Sequence, residues 1–273
     1  MATIANVRGR PTERRDLWWL QPAAVVIGFT AFVIYAIWAG TTTSGYYYDP
    51  YLSPFFSPCI ASNCEYLTFG SAWISGWTLA PAIFIVGFPL VFRATCYFFR
   101  RTYYRSYFLS PPSCAVPDAA KKYSGETRFP WILQNIHRYT WYIAVAIFFI
   151  LAYDAILSFR FPGRWGIGLG SLLMTTEAVF IGLYTFSCHS CRALCGGWLD
   201  SFHGKPIWYR LWMAVSRLNV RHGTFFWVSL GLVVVTDVYG AREAPLPGVS
   251  GTLVADAATS YPGVAGVILT ERG

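Results

Sequence analysis

Charged residues are scarce in this sequence, and that scarcity argues against a soluble fold. Asp, Glu, Lys and Arg together make up only 12% of the 273 residues, whereas a soluble globular domain carries roughly 25%. Hydrophobic residues make up 55% of the chain and aromatic residues 19%, and the apolar residues come in long blocks. The composition therefore indicates an integral membrane protein with no room for a second, soluble domain.

Five stretches are long enough to cross a bilayer, which takes roughly 20 mostly apolar residues per helix. They are residues 17–39, 72–98, 132–157, 166–188 and 222–240. The sequence predicts an all-α integral membrane bundle of about five transmembrane helices in one domain, 1–240, followed by a short extracytoplasmic C-terminal tail, 241–273. Pro81 and Pro89 fall inside the second stretch and should kink it, because proline removes a helical hydrogen bond.

The distribution of basic residues predicts the orientation. Residues 1–16 contain four arginines, 41–71 contain no Lys or Arg, and the segments 93–131 and 189–221 are again basic. Cytoplasmic loops of membrane proteins carry an excess of Lys and Arg. We expect a multi-pass protein of the inner (plasma) membrane with a cytoplasmic N-terminus. The net charge of +8 is mainly this topological bias, and no nucleic-acid-binding module is present.

The cysteines divide between the two predicted sides of the membrane. Cys59 and Cys64 lie in the outer loop, where a disulfide is expected. The other five lie at or near the cytoplasmic face, and Cys188, Cys191 and Cys195 share one face of a helix. A C-x-x-C pair such as Cys188 and Cys191 is typical of both redox dithiols and metal sites.

Histidine is rare, and its placement points to a cofactor. The chain has four histidines, and all of them fall on the predicted cytoplasmic side with the cysteines: His137, His189, His203 and His222. Zinc would take a closed set of Cys and His but does no redox work. Haem b would take two axial histidines, such as His137 and His222, and leave the C-x-x-C unexplained. A Rieske-type [2Fe–2S] cluster takes two cysteines on one iron and two histidines on the other, although the C-x-H and C-x-x-H loops of soluble Rieske domains are missing.

Several separate strings of the sequence resemble one family. FRATCYFFRRTYYRSYFLSPPSCAV, YSGETRFPWILQNIHRYTWY, YTFSCHSCRALCGGWLDSF and AVSRLNVRHGTFFWVSL occur in this order over roughly residues 70–240. They resemble the membrane anchor subunit of succinate dehydrogenase (respiratory complex II), in its actinobacterial branch with one five-helix chain. The resemblance implies a membrane-embedded Rieske-type cluster in place of haem b and a quinone site near the cytoplasmic face.

The resemblance also implies a role and partners. The chain would anchor the flavoprotein and iron–sulfur subunits of succinate dehydrogenase at the cytoplasmic face and pass their electrons through the cluster to quinone. It would act as a subunit of a succinate:quinone oxidoreductase, because it has no flavin motif with which to oxidise succinate itself. The alternatives are a haem b quinone oxidoreductase anchor, a membrane thiol–disulfide exchange protein and a structural anchor without a cofactor.

Site residues follow from residue type and position. The first-choice cluster ligands are Cys188, Cys191, His137 and His222; His189 is the rival histidine, and Cys96 and Cys195 are reserve sulfur ligands. A quinone needs hydrogen-bond donors and an apolar wall. Residues of that chemistry on the same face are Trp131, Gln134, Arg138, Tyr139, Ser216 and Arg217. Glu177 lies near the middle of the membrane, where an ionisable group is costly and by default functional. We expect it to be protonated at rest and to belong to a proton route.

Overall fold

The computed structural model describes residues 16–41, 47–48, 50–57, 82–119, 131–161, 164–239 and 266–268. Helices account for almost all of the regular structure in these ranges. This confirms the predicted all-α class. The predicted Cys59–Cys64 disulfide, Pro81 and most of the C-terminal tail lie outside the described residues.

In the part of the chain that the structure describes, three helices are long and apolar enough to cross a membrane on their own. They are α1 (Leu20–Thr41), α4 (His137–Leu157), which a 3-10 turn (Trp131–Ile136) precedes, and α5 (Leu169–Phe186). Their 18 to 22 residues correspond to roughly 27–33 Å of helix. Large apolar side chains such as Ile27, Ile34 and Phe149 face outward from the bundle, as lipid-facing residues do. The first, third and fourth predicted spans are therefore confirmed.

The second predicted span is partly described. Helix α2 (Ala82–Thr95) contains Pro89, as expected, and α3 (Tyr97–Ser106) follows after a break at Cys96. Residues 72–81 lie outside the described ranges. Within those ranges α2 is shorter than a full span, so a complete second crossing remains a prediction.

The fifth predicted span is preceded by a helix that the sequence analysis did not predict. Helix α7 (Pro206–Asn219) lies in the segment that was predicted to be a loop, and α8 (His222–Asp237) follows at an angle of 63°. The connection expected over 189–221 therefore contains an amphipathic helix that the sequence analysis did not predict, with its arginines on one helical face. Before α7, the chain forms the short helix α6 (His189–Arg192) and a π turn (Ala193–Gly197).

Helix α5 lies at the centre of the bundle, between α4 and α8, while α2 packs on α4 and α1 packs on α2 and α3. Small residues permit this close packing. A side chain at Gly182 of α5 would approach the Phe148 ring to 2.6 Å. In lipid, where apolar burial gives little driving force, such close contacts and buried hydrogen bonds hold helices together.

Short strands and a buried loop close the other end of the bundle. Strands β1 (Tyr47–Tyr48) and β2 (Tyr51–Leu52) form a hairpin, and β3 (Arg160–Phe161), β4 (Arg164–Gly168) and β5 (Gly266–Ile268) form an antiparallel sheet. After β2 the chain enters the bundle, where Ser53 donates to Asp237 of α8 and Ser57 donates to Asp154 of α4. Both carboxyls near this end are therefore hydrogen-bonded by the same loop.

Candidate functional site

Two cysteines and two histidines meet at the end of the bundle that the sequence predicts to be cytoplasmic. Cys96 separates α2 from α3, and Cys188 separates α5 from α6; both have extended backbones, with ψ of 129° and 151°. Neither break contains proline or glycine, so tertiary contacts rather than local propensity hold the chain extended there. His137 and His222 are the first residues of α4 and α8. All four side chains are buried, with at most 4% of their surface exposed.

The four side chains form two contacts between a histidine and a cysteine. His137 Nε2 lies 3.0 Å from Cys188 Sγ, and His222 Nε2 lies 3.2 Å from Cys96 Sγ. The two pairs are neighbours, because the Phe92 ring that stacks on His137 lies 5.4 Å from the Tyr184 ring that stacks on His222. Each contact joins two different parts of the bundle, so the site depends on the packing of α2, α4, α5 and α8.

The residue before each of these cysteines holds the other histidine. Thr95 Oγ1 lies 3.0 Å from His137 Nδ1, and Ser187 Oγ lies 2.7 Å from His222 Nδ1. Each hydroxyl can donate its own proton to a helical carbonyl, that of Val91 or Tyr184. The hydroxyls therefore accept from Nδ1–H, which fixes the tautomer and leaves the Nε2 lone pairs facing the thiols.

Aromatic rings enclose the imidazoles. The Phe92 ring stacks on His137 and the Tyr184 ring stacks on His222, each with a centroid separation of 4.8 Å. Ring stacking on one side and a hydroxyl at Nδ1 leave each imidazole little freedom to rotate. The arrangement presents two fixed nitrogen donors and two sulfur donors in a buried, mostly apolar setting.

Cys191 and His189, which the sequence analysis placed among the candidate ligands, lie outside these two pairs. Cys191 Sγ lies 3.9 Å from Cys195 Sγ, and burial together with the neighbouring Cys195 raises the pKa of the Cys191 thiol to about 12. His189 is exposed, and its ring meets the Tyr97 ring edge-on at 6.1 Å. Across the described residues, no three His, Cys, Asp or Glu side chains converge as ligands of a single metal ion.

Helix α7 braces the site from outside. Asn219 Nδ2 donates to the Ser187 carbonyl at 2.7 Å, and Arg192 Nε donates to Ser216 Oγ at 3.0 Å. Ser216, expected at a quinone wall, is thus engaged in holding α7 against α6.

The other residues expected to bind quinone are scattered. Arg138 lines a cleft at this end of the bundle, whereas Tyr139 and Arg217 are exposed and are not among its lining residues. Gln134 is buried, with its Oε1 unpartnered, and the Trp131 side chain lies outside the described residues. Of the six candidates, Arg138 is the one that lines this cleft.

Two clefts open on either side of Tyr97 and His189. The first, of about 650 Å³, is lined on its polar side by Tyr97, Arg138, Tyr142 and His189, with Leu194 and Trp198 as apolar walls. The second, of about 560 Å³, reaches His222, with Arg101 and Asn219 on its wall. Tyr97 connects the first cleft to the buried pairs, because its ring also meets that of His137 edge-on at 5.6 Å.

Glu177 lies in α5, buried, as expected for a residue in mid-membrane. It borders a central cavity together with Arg93 and Tyr184. Glu177 is separated from the histidine–cysteine pairs by about 16 Å of helix, given the eleven residues to Cys188.

The sequence analysis missed the two hydroxyls and gave Cys96 only a reserve role. A pattern does mark them: Thr95–Cys96 and Ser187–Cys188 are hydroxyl–cysteine dipeptides, each at the same end of a predicted span. The C-x-x-C spacing of Cys188 and Cys191 is the more familiar motif, and for that reason the ligand prediction chose Cys191 rather than Cys96.

Comparison with known proteins gives one family and one solved relative. The model of the family described as actinobacterial succinate dehydrogenase subunit SdhC matches residues 20–244. A chain of the Mycobacterium smegmatis Sdh1 complex in the apo form is 42% identical, with a TM-score of 0.76. The match covers 87% of this chain and 93% of that one. Curated proteins yielded no match.

Proposed function

Because this chain belongs to the family of actinobacterial succinate dehydrogenase subunits SdhC, we propose that it carries electrons from the soluble iron–sulfur subunit of the complex to membrane quinone. It does so through a Rieske-type [2Fe–2S] cluster. The chain is a multi-pass membrane subunit and does not itself catalyse succinate oxidation. The paired His–Cys contacts at one end of the bundle are the observation that carries this proposal.

The donor set fits such a cluster in number and kind. A Rieske centre takes two thiolates and two imidazoles, and the site contains Cys96, Cys188, His137 and His222, all buried. We assign these four as the ligands, with Cys96 in place of Cys191, since Cys191 faces Cys195. When bound, the cluster would supply a one-electron carrier whose potential depends on its ligands, burial and hydrogen bonds.

Neighbouring residues of this chain set the protonation and the surroundings of the two imidazoles. Thr95 and Ser187 keep the proton on Nδ1, so that Nε2 of each histidine is free to bind. Such partners of ligating histidines set ring orientation and ligand basicity. Phe92 and Tyr184 exclude water from the imidazole faces. Binding would remove the proton of each thiol, since iron binds the thiolate.

The cleft bordered by Tyr97, Arg138 and His189 is the proposed quinone site. It offers hydrogen-bond donors for a quinone carbonyl and apolar walls at Leu194 and Trp198, the combination that ligand pockets use. Its Tyr97 ring contacts the ring of His137, so a headgroup in this cleft would lie next to a proposed ligand. The side chains that line the cleft would also deliver the protons that quinone reduction consumes.

The basic helices α3 and α7 support a docking role. Arg101 and Arg210 are exposed on them, on the side of the bundle that also contains the His–Cys site. We assign this surface to the soluble subunits of succinate dehydrogenase, which would deliver electrons close to Cys96 and Cys188.

Metal analysis and spectroscopy of the purified complex test the proposal. We expect two irons beyond those of the soluble clusters, and a low-temperature electron paramagnetic resonance (EPR) signal of mixed Cys/His ligation. A visible spectrum with the bands of haem b, and no extra iron–sulfur signal, would replace this function with that of a haem anchor. A complex with neither group would leave a purely structural anchor.

A further inference from the structure

The centre of the bundle contains buried polar atoms that the proposed electron path does not use. Among the described residues, Glu177 Oε1, Tyr184 Oη and Thr236 Oγ1 are buried and have no hydrogen-bond partner. Glu177 and Tyr184 lie seven residues apart on one face of α5, and the Thr236 hydroxyl of α8 lies close to the Glu177 carboxyl. Burying a polar group without a hydrogen-bond partner is destabilising, so these oxygens at the centre of the bundle require an explanation.

A cavity at this position provides an explanation for the unpartnered oxygens. It measures about 70 Å³ and is bordered by α1, α2, α4, α5 and α8, with Glu177, Arg93 and Tyr184 among its lining residues. A water molecule takes about 30 Å³ in the liquid, and buried waters bind to groups that would otherwise be unsatisfied. The cavity therefore has room for about two waters, and two of the three residues with an unpartnered oxygen, Glu177 and Tyr184, line it.

Arg93 places a positive charge beside this cavity. Its guanidinium donates to the Phe226 carbonyl and to Ser229 Oγ, each at 3.0 Å, and lies 4.7 Å from the centre of the Tyr184 ring. A buried arginine keeps its charge, because the guanidinium is not deprotonated in proteins. Glu177 is the carboxyl with an unpartnered oxygen that can interact with this positive charge through water.

Two other carboxyls interact electrostatically with Glu177: those of Asp154 in α4 and Asp237 in α8. Both are already hydrogen-bonded to serines of the buried loop that follows β2. Of the three carboxyls, Glu177 alone has a fully buried oxygen without a hydrogen-bond partner among the described residues.

We propose that the cavity is a hydrated proton-binding site, in which water links Glu177 to Arg93 and to the Tyr184 hydroxyl, and that Glu177 binds a proton more tightly when the Cys96–Cys188 site holds an electron. The inference rests on the proposed function. The step is a proton uptake, in which the Glu177 carboxylate and a proton from water form the neutral acid. The electron comes from the soluble subunits.

The geometry connects the cavity to the redox site. The Tyr184 ring stacks on His222, its hydroxyl approaches the Cys96 thiol, and the residue also borders the cavity. About 16 Å of helix separates Glu177 from Cys188. One added electron at that separation would tighten proton binding by roughly sixfold at an effective dielectric constant near 20.

Redox-difference infrared spectroscopy of the intact complex tests the inference. Reduction should increase the carbonyl-stretch band of a protonated carboxyl, and the change should disappear in Glu177→Gln. Asp154→Asn is the matched control, since its carboxyl is already hydrogen-bonded and its loss should leave the band in place. Thr236→Val, which keeps the Glu177 carboxyl, should keep the band at an altered frequency.

The pH dependence of the cluster's midpoint potential, followed by EPR, gives a second readout. The wild-type potential should fall with rising pH over the range in which Glu177 titrates, and this part of the dependence should vanish in Glu177→Gln. An unchanged infrared band and an unchanged pH dependence in that variant would overturn the inference while the EPR signal still supported the cluster. Absence of the EPR signal from the wild type would instead overturn the proposed function.

Discussion

His137 Nδ1 lies 3.0 Å from Thr95 Oγ1, and because the Thr95 hydroxyl can donate to the Val91 carbonyl, this contact leaves Nε2 as the free nitrogen of the imidazole. The adjacent residue, Cys96, contacts the other histidine, His222. Ser187 and Cys188 repeat the arrangement with the histidines exchanged. Thr95 and Ser187 each contact one histidine through a hydroxyl, and the cysteine that follows each of them contacts the other histidine through a thiol. The positions of the four donor atoms are therefore coupled.

The hydroxyls should therefore be needed for cluster retention. We expect Thr95→Val to reduce iron occupancy or cluster-dependent quinone reduction by about tenfold to a hundredfold, the usual effect of removing a partner of a ligating histidine. Thr95→Ser should restore both, since it keeps the hydroxyl. EPR of the purified variants measures the effect, and full occupancy in Thr95→Val would show that the contact is dispensable.

The sulfur ligands can be distinguished by single substitutions. Cys96→Ala and Cys188→Ala should each abolish the EPR signal, because each removes a thiolate from the proposed set. Cys191→Ala should leave the signal intact, since the Cys191 thiol faces Cys195. The reverse result, with loss in Cys191→Ala and retention in Cys96→Ala, would restore the C-x-x-C assignment.

Loss of both proposed histidine ligands should separate two activities. The His137→Ala, His222→Ala double variant should lose quinone reduction and its EPR signal. It should still oxidise succinate with an artificial dye, because the flavin of the complex lies upstream of the lesion. A double variant that keeps the signal would point to His189 as the next histidine to test.

The cleft next to Tyr97 makes a kinetic prediction. Arg138→Gln should raise the KM for quinone by roughly tenfold, as expected for the loss of a charged hydrogen-bond donor, and should leave the cluster signal unchanged. Arg160→Gln, an exposed site on β3 at the other end of the bundle, is the matched control. Equal effects of the two substitutions would argue against a quinone site in this cleft.

Helix α7 offers a test of orientation. The positive-inside bias predicts a cytoplasmic location for this helix, and Arg210 is exposed on its surface. A cysteine introduced as Arg210→Cys should resist a membrane-impermeant thiol reagent in intact cells and react after the membrane is opened. Labelling in intact cells would invert the topology and place the His–Cys site on the opposite face.

The sequence by itself determined the membrane class and three of the spans, because long apolar stretches have few alternatives in a bilayer, where backbone polar groups must be satisfied within a helix. It also identified His137, His222 and Cys188 as candidate ligands, since rare polar residues at span ends stand out against an apolar background. The mid-membrane position of Glu177 followed from the same counting of residues along a helix.

Only the tertiary structure decided which of these residues meet. Sequence spacing relates residues within one helix, and so it favoured Cys188 with Cys191, whereas the contacts of Cys96 with His222 and of Thr95 with His137 span 126 and 42 residues. The helix breaks at Cys96 and Cys188 contain no proline or glycine and so carried no local mark. Helix α7 was missed because its alternating charged and apolar residues become one apolar and one polar face only when the chain is helical. The pairing of the histidines with the cysteines therefore depends on how the helices pack against one another. The properties of a single helix do not determine it.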